Sequence, residues 1–84
     1  MKKVTIYTGP MCNYCEAAKK LLIRNNTSYN EINIANVDGA MDEMIKKANG
    51  KRTIPQIFFG DEHIGGYDEV RALEKENKLK DLLK

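Results

Sequence analysis

Cysteine is scarce in this sequence: 84 residues contain two, Cys12 and Cys15. A small secreted protein that cannot build a sufficient core usually carries several disulfides, and one closely spaced pair would tie down almost nothing. The pair therefore reads as reactive, not structural. Histidine occurs once, as His63, remote from the cysteines; a zinc site needs about four ligands, so no metal site is expected. Long apolar runs are missing as well, which excludes a membrane-spanning helix. Lys2-Lys3 is followed by the alternating Val4-Thr5-Ile6-Tyr7-Thr8 and not by the apolar core of an export signal. The expectation is a cytoplasmic protein without membrane association, in a compartment that keeps thiols reduced. Charge of one sign is not in excess either. Fourteen basic against twelve acidic residues leave +2, and with few aromatics this gives no argument for nucleic acid as a partner.

What is present is a chain long enough for one domain, residues 1–84, near the size at which a single core suffices. Val4 to Thr8 reads as a buried strand ended by the turn Gly9-Pro10. A helix follows, with Tyr14, Cys15, Ala18, Leu21 and Leu22 on one stripe and a stop near Asn25-Asn26. Tyr29 to Ile34 returns to a period of two, completing a βαβ unit with parallel strands. Val37, Met41, Met44, Ile45 and Ala48 predict a second helix, capped by Asn36 or Asp38 and stopped by Asn49-Gly50, with both methionines in the core. Gln56 to Phe59 and His63 to Ile64 predict an antiparallel hairpin about Gly60-Asp61-Glu62, placing His63 at a sheet edge or surface. Gly65-Gly66 frees the backbone for a close approach. Asp68 is a candidate cap for a third helix carrying Val70 and Leu73, and Leu79, Leu82 and Leu83 predict a last helical turn. The order is α/β, β-α-β-α-β-β-α, with a mixed four-stranded sheet flanked by helices.

Cys12-Asn13-Tyr14-Cys15 falls where strand gives way to helix. Residues three apart share a helical face, so the two sulfurs can join in a small ring and part again without rebuilding the fold. Unpaired N–H groups at a helix start favour a thiolate at Cys12, the candidate nucleophile, with Cys15 one turn deeper as its resolving partner.

Three separated stretches, Cys12-Asn13-Tyr14-Cys15, Thr53-Ile54-Pro55-Gln56 and Gly65-Gly66-Tyr67-Asp68, resemble the glutaredoxins, specifically the small dithiol bacterial type, over essentially the whole chain. The resemblance implies a thioredoxin-like fold with a cis Pro55 facing the cysteines. It implies a glutathione-dependent thiol-disulfide oxidoreductase that reduces protein disulfides and glutathione mixed disulfides through Cys12 and Cys15. Glutathione would be a co-substrate, with no permanently bound cofactor. Its site would comprise Tyr14 as a wall, Thr53, Ile54 and Pro55, where the Ile54 backbone pairs with the tripeptide's cysteine, and Gly66, Tyr67 and Asp68. At that last segment backbone N–H groups would take the γ-glutamyl carboxylate and the Asp68 side chain the ammonium. Partners implied are glutathione and disulfide-bearing or glutathionylated proteins, ribonucleotide reductase among the family's, with the chain acting as a monomer. Many relatives carry lysine where Gly9 stands, and Lys51 or Arg52 are candidate substitutes for its contact with the glycine carboxylate. Asn13 replaces the proline of the usual Cys-Pro-Tyr-Cys, which restores an N–H at the helix start. That change keeps open an alternative, a [2Fe-2S] cluster held between two chains by Cys12 and glutathione. A redoxin reduced by thioredoxin reductase is the other, and the absence of tryptophan speaks against it.

Overall fold

A computed structural model describes residues 2–84. The elements run β1 (Val4–Thr8), α1 (Asn13–Arg24), β2 (Asn30–Asn33), α2 (Ala40–Lys47), β3 (Gln56–Phe59), β4 (Glu62–Gly65), α3 (Tyr67–Lys75) and α4 (Leu79–Leu83). The sheet order is β2-β1-β3-β4. β1 pairs parallel to β2 and antiparallel to β3, which pairs antiparallel to β4.

Alternation along the strands divides the core between the two faces of this sheet. Val4, Ile6, Ile57 and Phe59 meet Ala18, Leu21 and Leu22 of α1, Val70 of α3, and Leu79 and Leu83 of α4. Tyr7 and Phe58, one residue out of step, point the other way and meet Met44 and Ala48 at α2. Three helices thus cover one face and one helix covers the other. Cys15, Ala18, Leu21 and Leu22 of the α1 stripe are buried, whereas Tyr14 is exposed at its start; the helix ends at Arg24, where the Asn25 side chain donates to the Leu21 carbonyl at 2.8 Å.

Local starts and stops differ from the sequence reading in three places. β2 is shorter than Tyr29 to Ile34, although the Ile34 N–H still donates to Thr8 at 2.9 Å and carries the parallel pairing one bond further. α2 is capped neither by Asn36 nor by Asp38: a turn occupies that stretch, and the helix starts after Gly39, whose φ of +77° suits glycine. The later start moves the buried stripe to Ala40, Met44 and Ala48, spaced by four. Met41 lies beside that stripe, 42% exposed, and Val37 precedes the helix, 51% exposed, so neither belongs to the core. The turn before α1 holds Met11 in the left-handed region, with φ of +53°. Finally, α3 is capped at Gly66 and not at Asp68, because the Glu69 carboxylate reaches back to accept the Gly66 N–H at 2.6 Å.

Candidate active site

The β1-α1 connection carries the two cysteines, and its supports are polar. The buried Thr8 hydroxyl, last in β1, donates to Glu31 Oε2 at 2.7 Å. Lys19 of α1 bridges Glu31 at 3.2 Å and Glu16 at 2.7 Å. The Thr8 hydroxyl and the Lys19 ammonium together hold the Glu31 carboxyl below its ordinary value. This network ties β1, β2 and α1 together next to Gly9-Pro10-Met11.

Cys12 occupies the cap position of α1 in extended conformation, and the Cys15 N–H points at its sulfur from 3.1 Å. A donor at the helix start stabilises negative charge on that sulfur when the pair is reduced. Cys12 and Cys15 are joined in a disulfide. Their accessibilities differ: Cys12 is half-buried and Cys15 is 1% exposed. An incoming thiol or disulfide therefore meets Cys12 first, and Cys15 is reached only from Cys12.

The Cys12 sulfur lies 3.9 Å from the Ile54 carbonyl oxygen. The Ile54-Pro55 peptide is cis, as the resemblance implies. Among the described residues the Ile54 N–H has no hydrogen-bond partner, since β3 begins only at Gln56. A short backbone edge is thus left free beside the reactive sulfur. The Ile54 side chain sits over Gly9, where a Cβ would come within 2.6 Å of its Cδ1, so a lysine stem at that position would have to displace Ile54.

Beyond this edge lies a cavity of about 320 Å³, lined by Tyr14, Lys51, Thr53, Ile54, Pro55, Gln56, Gly66, Tyr67, Asp68 and Glu69. It brings together every residue expected at the glutathione site. Tyr14, 64% exposed, stands against Tyr67 with ring centroids 5.9 Å apart, so it forms a wall of the groove and does not pack on a strand. Gly65 and Gly66 make the close approach possible. A Cβ on Gly66 would come within 3.2 Å of the Pro55 carbonyl, and Gly65, at φ of +133°, would drive one into the Glu69 side chain. The α3 start is thereby pressed against Pro55 at the border of the groove.

Of the two candidate cations, Lys51 lines the cavity and Arg52 is not among its lining residues. Two further lining residues, Gln56 and Glu69, were not anticipated. Glu69 had a readable signal, an acid three residues after Gly66 before an apolar position; Gln56 had none, because its role depends on where the chain returns.

His63 stands on the edge strand β4, half-buried, with its ring tilted over Phe58 at 5.0 Å between centroids. Burial, reinforced by the Lys51 charge against the opposing pull of Glu69, pushes its imidazole below the usual histidine range.

A disulfide-forming cysteine pair at a helix start, opposite a cis proline in a four-stranded mixed sheet, defines a thioredoxin-like thiol-disulfide oxidoreductase. The glutaredoxin family model matches residues 4–64. The chain is 43% identical over 84 residues to glutaredoxin 3 of Escherichia coli strain K12, covering all of both chains. It is 46% identical to the glutaredoxin of Brucella melitensis, whose solution structure it matches with a TM-score of 0.86, covering 100% of this chain and 90% of that one. A buckwheat glutaredoxin-glutathione complex aligns at TM-score 0.87 with 28% identity, over 98% of this chain and 76% of the other. The chain belongs to the glutaredoxin family. No helix among the described residues is long and apolar enough to cross a membrane.

Proposed function

We propose that this glutaredoxin reduces protein disulfides and glutathione mixed disulfides with Cys12 as nucleophile and Cys15 as resolving thiol. The observation that carries the reading is the disulfide-linked pair at the α1 start, its more accessible member 3.9 Å from the free Ile54 backbone edge that borders the groove. On a glutathionylated protein, the Cys12 thiolate attacks the glutathione sulfur and the protein thiolate leaves. A second glutathione thiolate then attacks the Cys12-glutathione disulfide, releasing oxidised glutathione and restoring the Cys12 thiolate. On a protein disulfide, Cys12 forms a mixed disulfide, and the Cys15 thiolate attacks Cys12 and expels the substrate's second thiolate. Two glutathiones reduce the resulting pair.

In the groove, the Ile54 N–H and carbonyl pair with the tripeptide's cysteine backbone, next to Thr53 and Pro55. The Tyr67 and Asp68 N–H groups, with Gly66 allowing the approach, take the γ-glutamyl carboxylate, and the Asp68 carboxylate takes its ammonium. Tyr14 closes the side, and Lys51 faces the glycine carboxylate. The protein acts as a single-domain monomer in the cytoplasm, with glutathione as co-substrate and no resident cofactor. Its macromolecular substrates are disulfide-bearing or glutathionylated proteins, of which ribonucleotide reductase is one.

Turnover is followed through NADPH with either glutathione plus glutathione reductase or thioredoxin reductase. Glutathione is expected to sustain it. Cys12→Ser should abolish all turnover, whereas Cys15→Ser should spare deglutathionylation and lose reduction of protein disulfides. Equal loss in both assays for both variants rejects the division of labour. A brown, dimeric protein after anaerobic reconstitution with iron and sulfide would favour the cluster-carrying alternative.

A further inference from the structure

Among the described residues Gln56 is the one buried polar side chain that borders the groove: it is 2% exposed, and every hydrogen-bonding atom of its amide has a partner. Its Nε2 donates to the Thr53 carbonyl at 3.0 Å and to the Thr53 hydroxyl oxygen at 3.1 Å, and its Oε1 lies 2.7 Å from His63 Nε2. The chemistry of these partners fixes every role. A carbonyl only accepts, so the amide must present its NH₂ to Thr53 and its oxygen to His63. His63 must then carry its proton on Nε2, which it does in both the neutral and the protonated form. Phe58 holds the imidazole from one side, in ring contact at 5.0 Å.

We infer that His63 and Gln56 are positioning residues: the edge strand β4, through this relay, fixes the Thr53-Ile54 backbone in the orientation that binds glutathione. This inference rests on the glutathione reading above. Thr53 is exposed and lies outside β3, so no ladder bond holds the segment just before Ile54. Gln56 substitutes for that ladder by gripping both the carbonyl and the hydroxyl of one residue. Without the His63 donor, the Gln56 amide oxygen loses its partner and the amide is held at its Thr53 end alone, so its grip on Thr53 loosens. The free edge at Ile54 then samples orientations that do not pair with the tripeptide.

The test compares wild type with His63→Phe, which keeps a ring on Phe58 but loses the donor, with His63→Gln, which keeps a donor, and with Gln56→Met. With a glutathionylated peptide, glutathione and glutathione reductase, His63→Phe and Gln56→Met should raise KM about fivefold to tenfold with kcat within about twofold, as expected for one lost buried hydrogen bond. His63→Gln should recover most of the affinity, and alkylation of reduced Cys12 by iodoacetamide should be unaltered. By ¹⁵N relaxation, the order parameters of the Thr53 and Ile54 amides should fall from about 0.85 toward 0.6 in His63→Phe. Unchanged order parameters in a folded His63→Phe overturn the inference, and so does a uniform loss of kcat, affinity and thermal stability. Gln56→Met serves if His63→Phe does not fold. A wild type that shows no glutathione-dependent turnover would overturn the functional reading, while the relaxation measurement still decides the relay.

Discussion

Glu74 of α3 is the carboxylate on which the packing of α1 against α3 turns, and its removal has a predictable pH signature. Arg24, the last residue of α1, donates Nε and Nη2 to its two oxygens at 2.9 and 2.7 Å. Asn25 donates at 2.6 Å and Arg71 at 3.0 Å. These donors, Arg24 first and against the cost of burial, hold the Glu74 carboxyl at about 2. A carboxyl lowered from near 4.5 to about 2 corresponds through linkage to at most ~3 kcal/mol favouring the fold. Because the Glu74 side chain is 18% exposed and its arginine partners are more open still, solvent screening reduces this to about 1–2 kcal/mol. Glu74→Gln should therefore lower Tm at pH 7 by roughly 5–15 °C in a domain of this size. The folded-state value is the depressed one, so the stabilisation is complete above the unfolded value near 4.3 and is lost as pH falls through about 2. The gap between wild type and Glu74→Gln should accordingly be constant from pH 6 to 8 and close at pH 2. Thermal unfolding followed by circular dichroism measures both. A Tm at pH 7 within about 2 °C of wild type, or a gap undiminished at pH 2, would refute the reasoning.

Gly65→Ala places a methyl group at φ of +133° and within 3.0 Å of Glu69 side-chain atoms; a loss of about 2 kcal/mol in urea unfolding is expected. Met44→Ala should cost about 2–4 kcal/mol, because Met44 is fully buried against the sheet, whereas Met41→Ala should stay within about 0.5 kcal/mol. The two unfolding midpoints side by side test the assignment of the α2 stripe. Asp68→Asn removes the proposed ammonium partner, so KM for a glutathionylated peptide should rise about tenfold while Cys12 alkylation stays at the wild-type rate. An unchanged KM would show that Asp68 serves the helix alone.

Periodicity alone determined much of this protein. The α1 stripe Cys15, Ala18, Leu21 and Leu22, the hairpin about Gly60-Asp61, and the order of strands and helices follow from where apolar side chains recur, since burial of one face is the dominant favourable term in folding. The spacing of Cys12 and Cys15 at a strand-to-helix junction likewise stated its chemistry without a fold. Helix starts were less legible. Asn36, Asp38 and Asp68 all have side chains suited to capping, but Gly39 and Gly66 take the positions, because the cap is decided by the backbone path and by which carboxylate can reach back, as Glu69 does. The later start left Val37 outside α2, and the face against the sheet centres on Ala40, Met44 and Ala48, with Met41 about 60° round from Met44, since each residue advances a helix by about 100°. Only the tertiary structure showed that Ile54 leans over Gly9, that Lys51 and not Arg52 borders the groove, and that His63 reaches Thr53 through Gln56. These contacts join β4, the loop before β3 and the β1-α1 turn, segments far apart along the chain. Sequence spacing carries no information on such distances until the sheet has set the register between strands.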